Sequence, residues 1–217
     1  MSWSEVFKIN SNMKKPLNEQ IRESRFLPIR IITTTGTYTP EKTGLYKVVC
    51  VGAGGNAYTE SGVYYFTPGG GGGVAVKTLR LVSTTSYNVT VNGTASFAYE
   101  STALTATSGG NGSSGKLGTG GTASGGDANF PGTTGAKSTS DSVPNTAGGV
   151  GVHISELPTR DMFSTYAKGD INTLVKYGDN ILGYGGGGAS IYYSSSVFYK
   201  QTGLPAAVII IPLEMEA

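Results

Sequence analysis

The sequence predicts an all-β protein: an antiparallel β-sandwich that carries a glycine-rich, polyglycine-II-like insertion and follows a short helical N-terminal arm. Three observations carry this reading. Apolar residues alternate with period two in several short runs, and no stretch beyond residue 25 sustains the 3.6-residue period of a helix. Glycine supplies 34 of 217 residues, where roughly 7% is usual. Charged residues make up only 14%, against about 25% in an ordinary soluble domain, too few to solvate many amphipathic helices. The length suffices for one domain with a core, organised as an arm at 1–25 and a glycine-rich domain at 26–217.

The arm opens with Ser2-Trp3-Ser4-Glu5, a capping box in which hydroxyl and carboxylate serve each other's backbone donors. Trp3 and Phe7 then fall one turn apart. Pro16 suits the first turn of a second short helix, on which Leu17 and Ile21 share a face. Helices this short are unstable alone, so the arm either packs on its own domain or docks to another subunit. Docking is the favoured reading, with Trp3, Phe7, Leu17 and Ile21 as its contacts.

From residue 26 the pattern is that of strands. Residues 26–33 are β-branched and apolar, and a turn is expected around Gly36 to Pro40. Residues 44–51 read as a mostly buried strand, and 74–81 and 87–91 alternate as half-buried strands do. The last of these ends at Asn92-Gly93, a strong hairpin signal. Residues 206–211 form a late, buried strand stopped by Pro212. Between Gly109 and Gly151 lie fourteen glycines in 43 residues, with Phe130 the only aromatic. A flexible linker is one reading of this block. Strand-like sequence on both sides and further glycine runs at 69–73 and 185–188 favour another: extended segments packed side by side, where the missing Cβ lets backbones approach and bond.

Several functions are disfavoured. A net charge of +2 without a Lys/Arg stripe gives no footprint for nucleic acid. No apolar run approaches the roughly 20 residues needed for membrane insertion, and no secretory signal is visible at the start. The lone Cys50 excludes an internal disulfide. Residues 48–57 imitate the strand and G-x-G-x-x-A of a dinucleotide site, but neither the following helix nor the ribose-binding carboxylate is present, so no cofactor is expected. His153 is the only histidine, so a Ser-His triad or an ordinary zinc site would have to use it, and its setting in Val152-His153-Ile154, at a strand or loop edge, reads as structural. Asp161, Asp170 and Asp179 could supply a glycosidase pair, making an enzyme acting on surface glycan a competing reading. The groove such an enzyme needs is longer than this chain readily builds, so the protein is read as non-enzymatic and without a metal.

The aromatics carry more. Tyr58, Tyr64, Tyr65 and Phe66 precede the first long glycine run; Phe163, Tyr166, Tyr177, Tyr184, Tyr192, Tyr193, Phe198 and Tyr199 surround the last. Tyrosine gives a large, rigid contact area with a polar tip, as binding loops require. Strand-like Tyr192 and Phe198 are expected to fill the core. The loop-borne positions make the candidate binding site, in segments 56–68 and 156–184: Tyr58, Tyr64, Tyr65, Tyr166 and Tyr177, with Asp170 and Asp179 as polar partners. A site on the 127–147 loop is the alternative, with Phe130 as its single anchor.

The order of these motifs resembles the glycine-rich tip domains of bacteriophage tail fibres, including small distal adhesins. The matching residues are Thr35 to Pro40 (Thr-Gly-Thr-Tyr-Thr-Pro), Tyr46 to Val51 running into Gly-Ala-Gly-Gly, the pentaglycine Gly69 to Gly73, the Thr-Val-Asn-Gly hairpin, and the terminal Ala-Val-Ile-Ile-Ile strand. Residues 156–180 depart from it in being long and poor in glycine. The resemblance implies a virion protein of the tail fibre or baseplate, made in the host bacterial cytoplasm, that binds a host cell-surface glycan or protein through its loops. It also implies a homotrimer joined to other tail or fibre subunits. The alternative is a purely structural virion component: a fibre cap, baseplate or capsid-decorating protein.

Overall fold

A computed structural model describes residues 27–59, 66–137, 146–147, 184–188, 190–194, 197–200 and 202–216. The arm, with Trp3, Phe7, Leu17 and Ile21, lies outside the described residues. Among the described residues there is no helix, and the regular structure is entirely β. The absence follows from composition: alternating apolar positions and interspersed glycine offer no continuous helical stripe to bury.

Five strands form one antiparallel sheet: β1 (Arg30–Ile32), β16 (Ala207–Met215), β3 (Gly44–Val51), β6 (Val74–Leu81) and β11 (Ala128–Phe130), in that order. The second antiparallel sheet runs β10 (Ala123–Ser124), β9 (Thr102–Ala106), β8 (Ala95–Tyr99), β7 (Tyr87–Val91), β2 (Gly36–Tyr38). The two share one core, as the layers of a β-sandwich do. Tyr46, Val48, Cys50, Leu79, Leu81, Val208 and Ile210 come from the first sheet; Tyr87, Val89, Phe97 and Leu104 come from the second. Phe97 stacks on Tyr87 with ring centroids 5.5 Å apart. Each fully buried side chain of this size contributes about 1.5–3 kcal/mol.

Alternation along β3 sends Val48 and Cys50 inward and Val49 and Val51 to the opposite face. There, with Val74, Ala207, Ile209 and Ile211, they form a second buried cluster on which Ile29 and Tyr184 pack. The near-continuous apolar run of 206–211 is explained by this burial on both faces.

Some elements differ from expectation. The 26–33 run contributes only Arg30–Ile32 as strand, with Pro28 just before it. The turn expected around Gly36 to Pro40 begins as strand β2, which pairs with β7 from Gly36↔Val89 to Tyr38↔Tyr87. The Asn92-Gly93 turn joins β7 to β8, with Gly93 at φ 93°, the left-handed region that glycine reaches without strain.

Above the sandwich, the strands run on into glycine segments. Among the described residues these are 52–56, 68–73, 107–112, 118–122, 131–135, 184–188 and 202–206, joined by backbone hydrogen bonds. The 68–73 segment lies amid five others. Gly69 and Gly72 donate to the carbonyls of Gly188 and Gly185, Gly70 and Gly73 to Gly110 and Thr107, and Gly71 to Thr133, at 2.7–3.0 Å. In turn the carbonyls of Gly70 and Gly73 accept from Gly55 and Gly52, and those of Pro68 and Gly71 from Gly118 and Gly121. Bonds to any one neighbour step by three residues. A flat strand, whose amides alternate between two sides, reaches two neighbours; an extended helix with three residues per turn aims successive amides in three directions. Such spacing is open only to glycine. A Cβ built on Gly55 or Gly72 would sit under 3.0 Å from the backbone carbonyls of Gly110 and Gly52, respectively.

Candidate functional site

The directions of these segments decide where the loops emerge. β3 leads up into 52–56, and 68–73 descends antiparallel to it into β6. The 107–112 segment continues β9 upward, and 118–122 descends into β10. Residues 131–135 rise from β11, and 202–206 descend into β16 beside the rising 184–188. The excursions between a rising and a falling segment therefore sit at one end, the tip, opposite the sandwich. Strand β16 runs away from the tip toward Glu216, while β1 runs toward it from Leu27. Both ends of the described domain thus lie at the base.

Three two-stranded ribbons occupy the tip: β4 (Tyr58–Thr59) with β5 (Phe66–Thr67), β12 (Ala136–Lys137) with β13 (Thr146–Ala147), and β14 (Ser190–Ser194) with β15 (Val197–Lys200). They adjoin one another, β5 meeting β12 and β14, β4 meeting β15, and β13 meeting β14. A tight turn at 113–116 stands beside them, closed by mutual backbone bonds of Ser113 and Lys116 at 3.0 Å. The buried Thr67 hydroxyl donates to the Ser113 carbonyl at 2.8 Å and ties this turn to the first ribbon.

Asn56 and Asn111 close the top of the glycine bundle. The Asn111 Oδ1 accepts the Asn56 amide at 2.8 Å, the Asn56 carbonyl accepts the Gly112 amide at 2.8 Å, and the Asn56 Oδ1 accepts the Gly203 amide at 2.9 Å. These residues were missed in reading the sequence. The signal was a repeat: Gly54-Gly55-Asn56 and Gly109-Gly110-Asn111 end two rising segments in the same way.

Of the expected site residues, Tyr58 is placed at the tip, half-buried and paired with Thr67. Tyr64 and Tyr65 belong to the 60–65 connection of that ribbon, outside the described residues. Tyr166, Asp170, Tyr177 and Asp179 also lie outside them. Phe130, the anchor of the alternative site, sits in β11 of the sandwich. Tyr192 and Phe198, expected in the core, belong to the β14–β15 ribbon and to neither large sheet.

Among the described residues, the groups whose titration is displaced lie in the sandwich and at its base. Burial pushes the Tyr38 phenol up to about 12, and burial likewise raises the Cys50 thiol to about 12. The exposed Arg80 guanidinium bonds both Glu216 carboxylate oxygens at 2.6 and 2.8 Å and lowers that acid. An open groove of about 410 Å³, lined by Arg30, Ile31, Thr35, Tyr38 and Glu41 among others, runs along the side of the sandwich, away from the tip. Among the described residues no group of three metal-ligating side chains occurs, and no helix is long and apolar enough to cross a membrane. Compared with known proteins, the sequence matches no family model and no curated protein.

Proposed function

We propose that this chain is the tip of a bacteriophage tail fibre, a non-enzymatic adhesin that binds a host bacterial surface receptor. In this reading the tip cluster meets the receptor, and the arm at 1–25 docks the base to other tail subunits through Trp3, Phe7, Leu17 and Ile21. The working form is a trimer in the virion. One observation carries the proposal: three ribbons and a turn converge at one end of a rigid glycine bundle, and both ends of the described domain lie at the other. Backbone bonding within the bundle fixes the loop bases, so recognition rests on preorganised loops.

The test is competition. Purified protein, added at micromolar concentration to host cells before phage, should slow adsorption in proportion to the cell surface it occupies. If it neither binds cells nor slows adsorption, the proposal fails.

A purely structural virion role is the second reading. Exposed Ile31, Leu45 and Phe130 lie on the outer face of the first sheet around its buried cluster, and exposed Leu213 lies in the bulge of β16. Such an apolar rim suits a boundary between subunits. Under this reading Leu45→Asp with Leu213→Asp would disrupt assembly, and no tip variant would alter adsorption.

A further inference from the structure

We infer that Asn92 is a self-modification site. The folded protein converts it, without an enzyme, to aspartate and isoaspartate, and the isoaspartate loosens the hairpin's hold on the glycine bundle. Asparagine precedes glycine twice in the chain, at Asn92-Gly93 and at Asn111-Gly112. Such pairs are labile because glycine has no Cβ to shield its amide nitrogen from the preceding side chain. The fold treats the two pairs differently.

Asn92-Gly93 lies in the turn between β7 and β8, and Asn92 is exposed. A Cβ built on Gly93 would meet nothing within 4 Å, so the turn stands open to water. Among the described residues, neither the Asn92 carbonyl nor the Gly93 amide makes a backbone hydrogen bond. The peptide unit between the two residues can therefore rotate, bringing the Gly93 nitrogen to the Asn92 Cγ, without breaking one. At the second pair the Gly112 amide donates to the Asn56 carbonyl, and the Asn111 Oδ1 accepts the Asn56 amide, both at 2.8 Å. Gly112 is also buried, and a Cβ there would overlap the Thr67 carbonyl. Asn56, Asn88 and Asn129 precede Ala57, Val89 and Phe130, whose side chains shield the nitrogen.

Hydroxide takes the Gly93 amide proton, and the nitrogen attacks the Asn92 Cγ. The new N–C bond closes a succinimide ring as the Cγ–Nδ2 bond breaks, and Nδ2 leaves as ammonia with a proton from water. Water then opens the ring at either carbonyl. One opening gives aspartate; the other reroutes the main chain through Cβ and Cγ as isoaspartate, one methylene longer. The Gly93 carbonyl accepts the Ala53 amide at 2.8 Å, at the root of the 52–56 segment. Val91 beside it exchanges bonds of 2.9 and 3.2 Å with the Thr35 hydroxyl. A longer main chain at the turn moves these partners out of line.

Purified full-length protein is held in warm, mildly alkaline buffer, and its peptides are read by mass spectrometry with fragmentation that separates positions 88, 92 and 111. A gain of one mass unit, amide to acid, is expected at 92 and should quicken as pH rises. The two hydrogen bonds that guard 111 should make its rate in the folded protein about thirtyfold lower. In protein unfolded by urea the two pairs should react alike. Asn92→Gln, which would need a larger and slower-forming ring, should abolish the gain. The isoaspartate form, isolated by chromatography and identified by isoaspartyl methylation, should melt below the parent. Asn92→Asp adds the charge without the methylene and should melt near it. No gain at 92 in the folded protein, or a gain at 111 just as fast, would overturn the site. An isoaspartate form that melts with the parent would overturn the loosening of the hairpin.

Discussion

Replacing Gly70 by alanine places one methyl group where several extended backbones already meet. The added Cβ would overlap the Thr119 carbonyl and come within 2.9 Å of the Gly118 carbonyl oxygen. To admit it, the 118–122 segment must move off 68–73. That breaks the bonds from Gly118 to Pro68 and from Gly121 to Gly71, now 2.9 and 2.8 Å. Two neutral hydrogen bonds are worth about 1 kcal/mol each, and overpacking adds about 1–3 kcal/mol. A stiffer unfolded chain returns roughly 0.4–1 kcal/mol. The net loss is about 2–4 kcal/mol, which lowers the melting temperature of a chain this size by roughly 5–15 °C. Gly36→Ala is the matched control: its Cβ would meet nothing within 4 Å, so the change should fall within about 1 kcal/mol of neutral. Circular dichroism melts of both variants make the comparison. Equal melting temperatures would mean that the glycine segments do not pack as bonded backbones, and the reasoning about the bundle would fall.

Further outcomes follow from the same contacts. Gly120→Val with Gly121→Val drives side chains into the carbonyls of Gly132 and Thr107 and should leave little folded protein, judged by soluble yield and β-sheet circular dichroism. Phe97→Ala empties the centre of the sandwich beneath Tyr87 and should cost about 3–5 kcal/mol in urea denaturation. The Cys50 thiol, buried and raised from about 9 to about 12, should resist thiol reagents until the protein unfolds. Because its folded value lies above its unfolded one, its contribution to stability is complete below about pH 9 and is lost as pH rises toward 12; Cys50→Ala should flatten that part of the stability profile.

The sandwich was legible where side chains alternate strongly. Residues 44–51, 74–81 and 87–91 fall on strands because Val, Leu and Tyr mark the buried positions, and Asn92-Gly93 marks the hairpin. Strands β8 and β9 are harder to read: Ala-Ser-Phe-Ala-Tyr and Thr-Ala-Leu-Thr-Ala bury small residues, so their alternation has little contrast. Glycine carries no alternation at all, and its segments are fixed by neighbours far away in sequence, as in the bond from Gly69 to Gly188. Of the expected site residues, Tyr58 is the one whose place at the tip is described; Tyr64, Tyr65, Tyr166, Asp170, Tyr177 and Asp179 lie outside the described residues. Which loops share an end depends on the direction of each segment, and a single run of residues does not contain that information.

In the proposed reading the ribbon end faces the bacterium and the sandwich end does not. Cys50 is buried, so a cysteine introduced at an exposed site is the reactive thiol among the described residues. Ser114→Cys places it in the tip turn; Thr85→Cys places it in the connection between β6 and β7 at the base, and both positions are exposed. Each variant is coupled to a polyethylene glycol chain, and its binding to host cells is measured. The account predicts that the chain at residue 114 abolishes binding while the one at residue 85 leaves it at the parental level. Binding that survives modification at 114 and is lost on modification at 85 would contradict it.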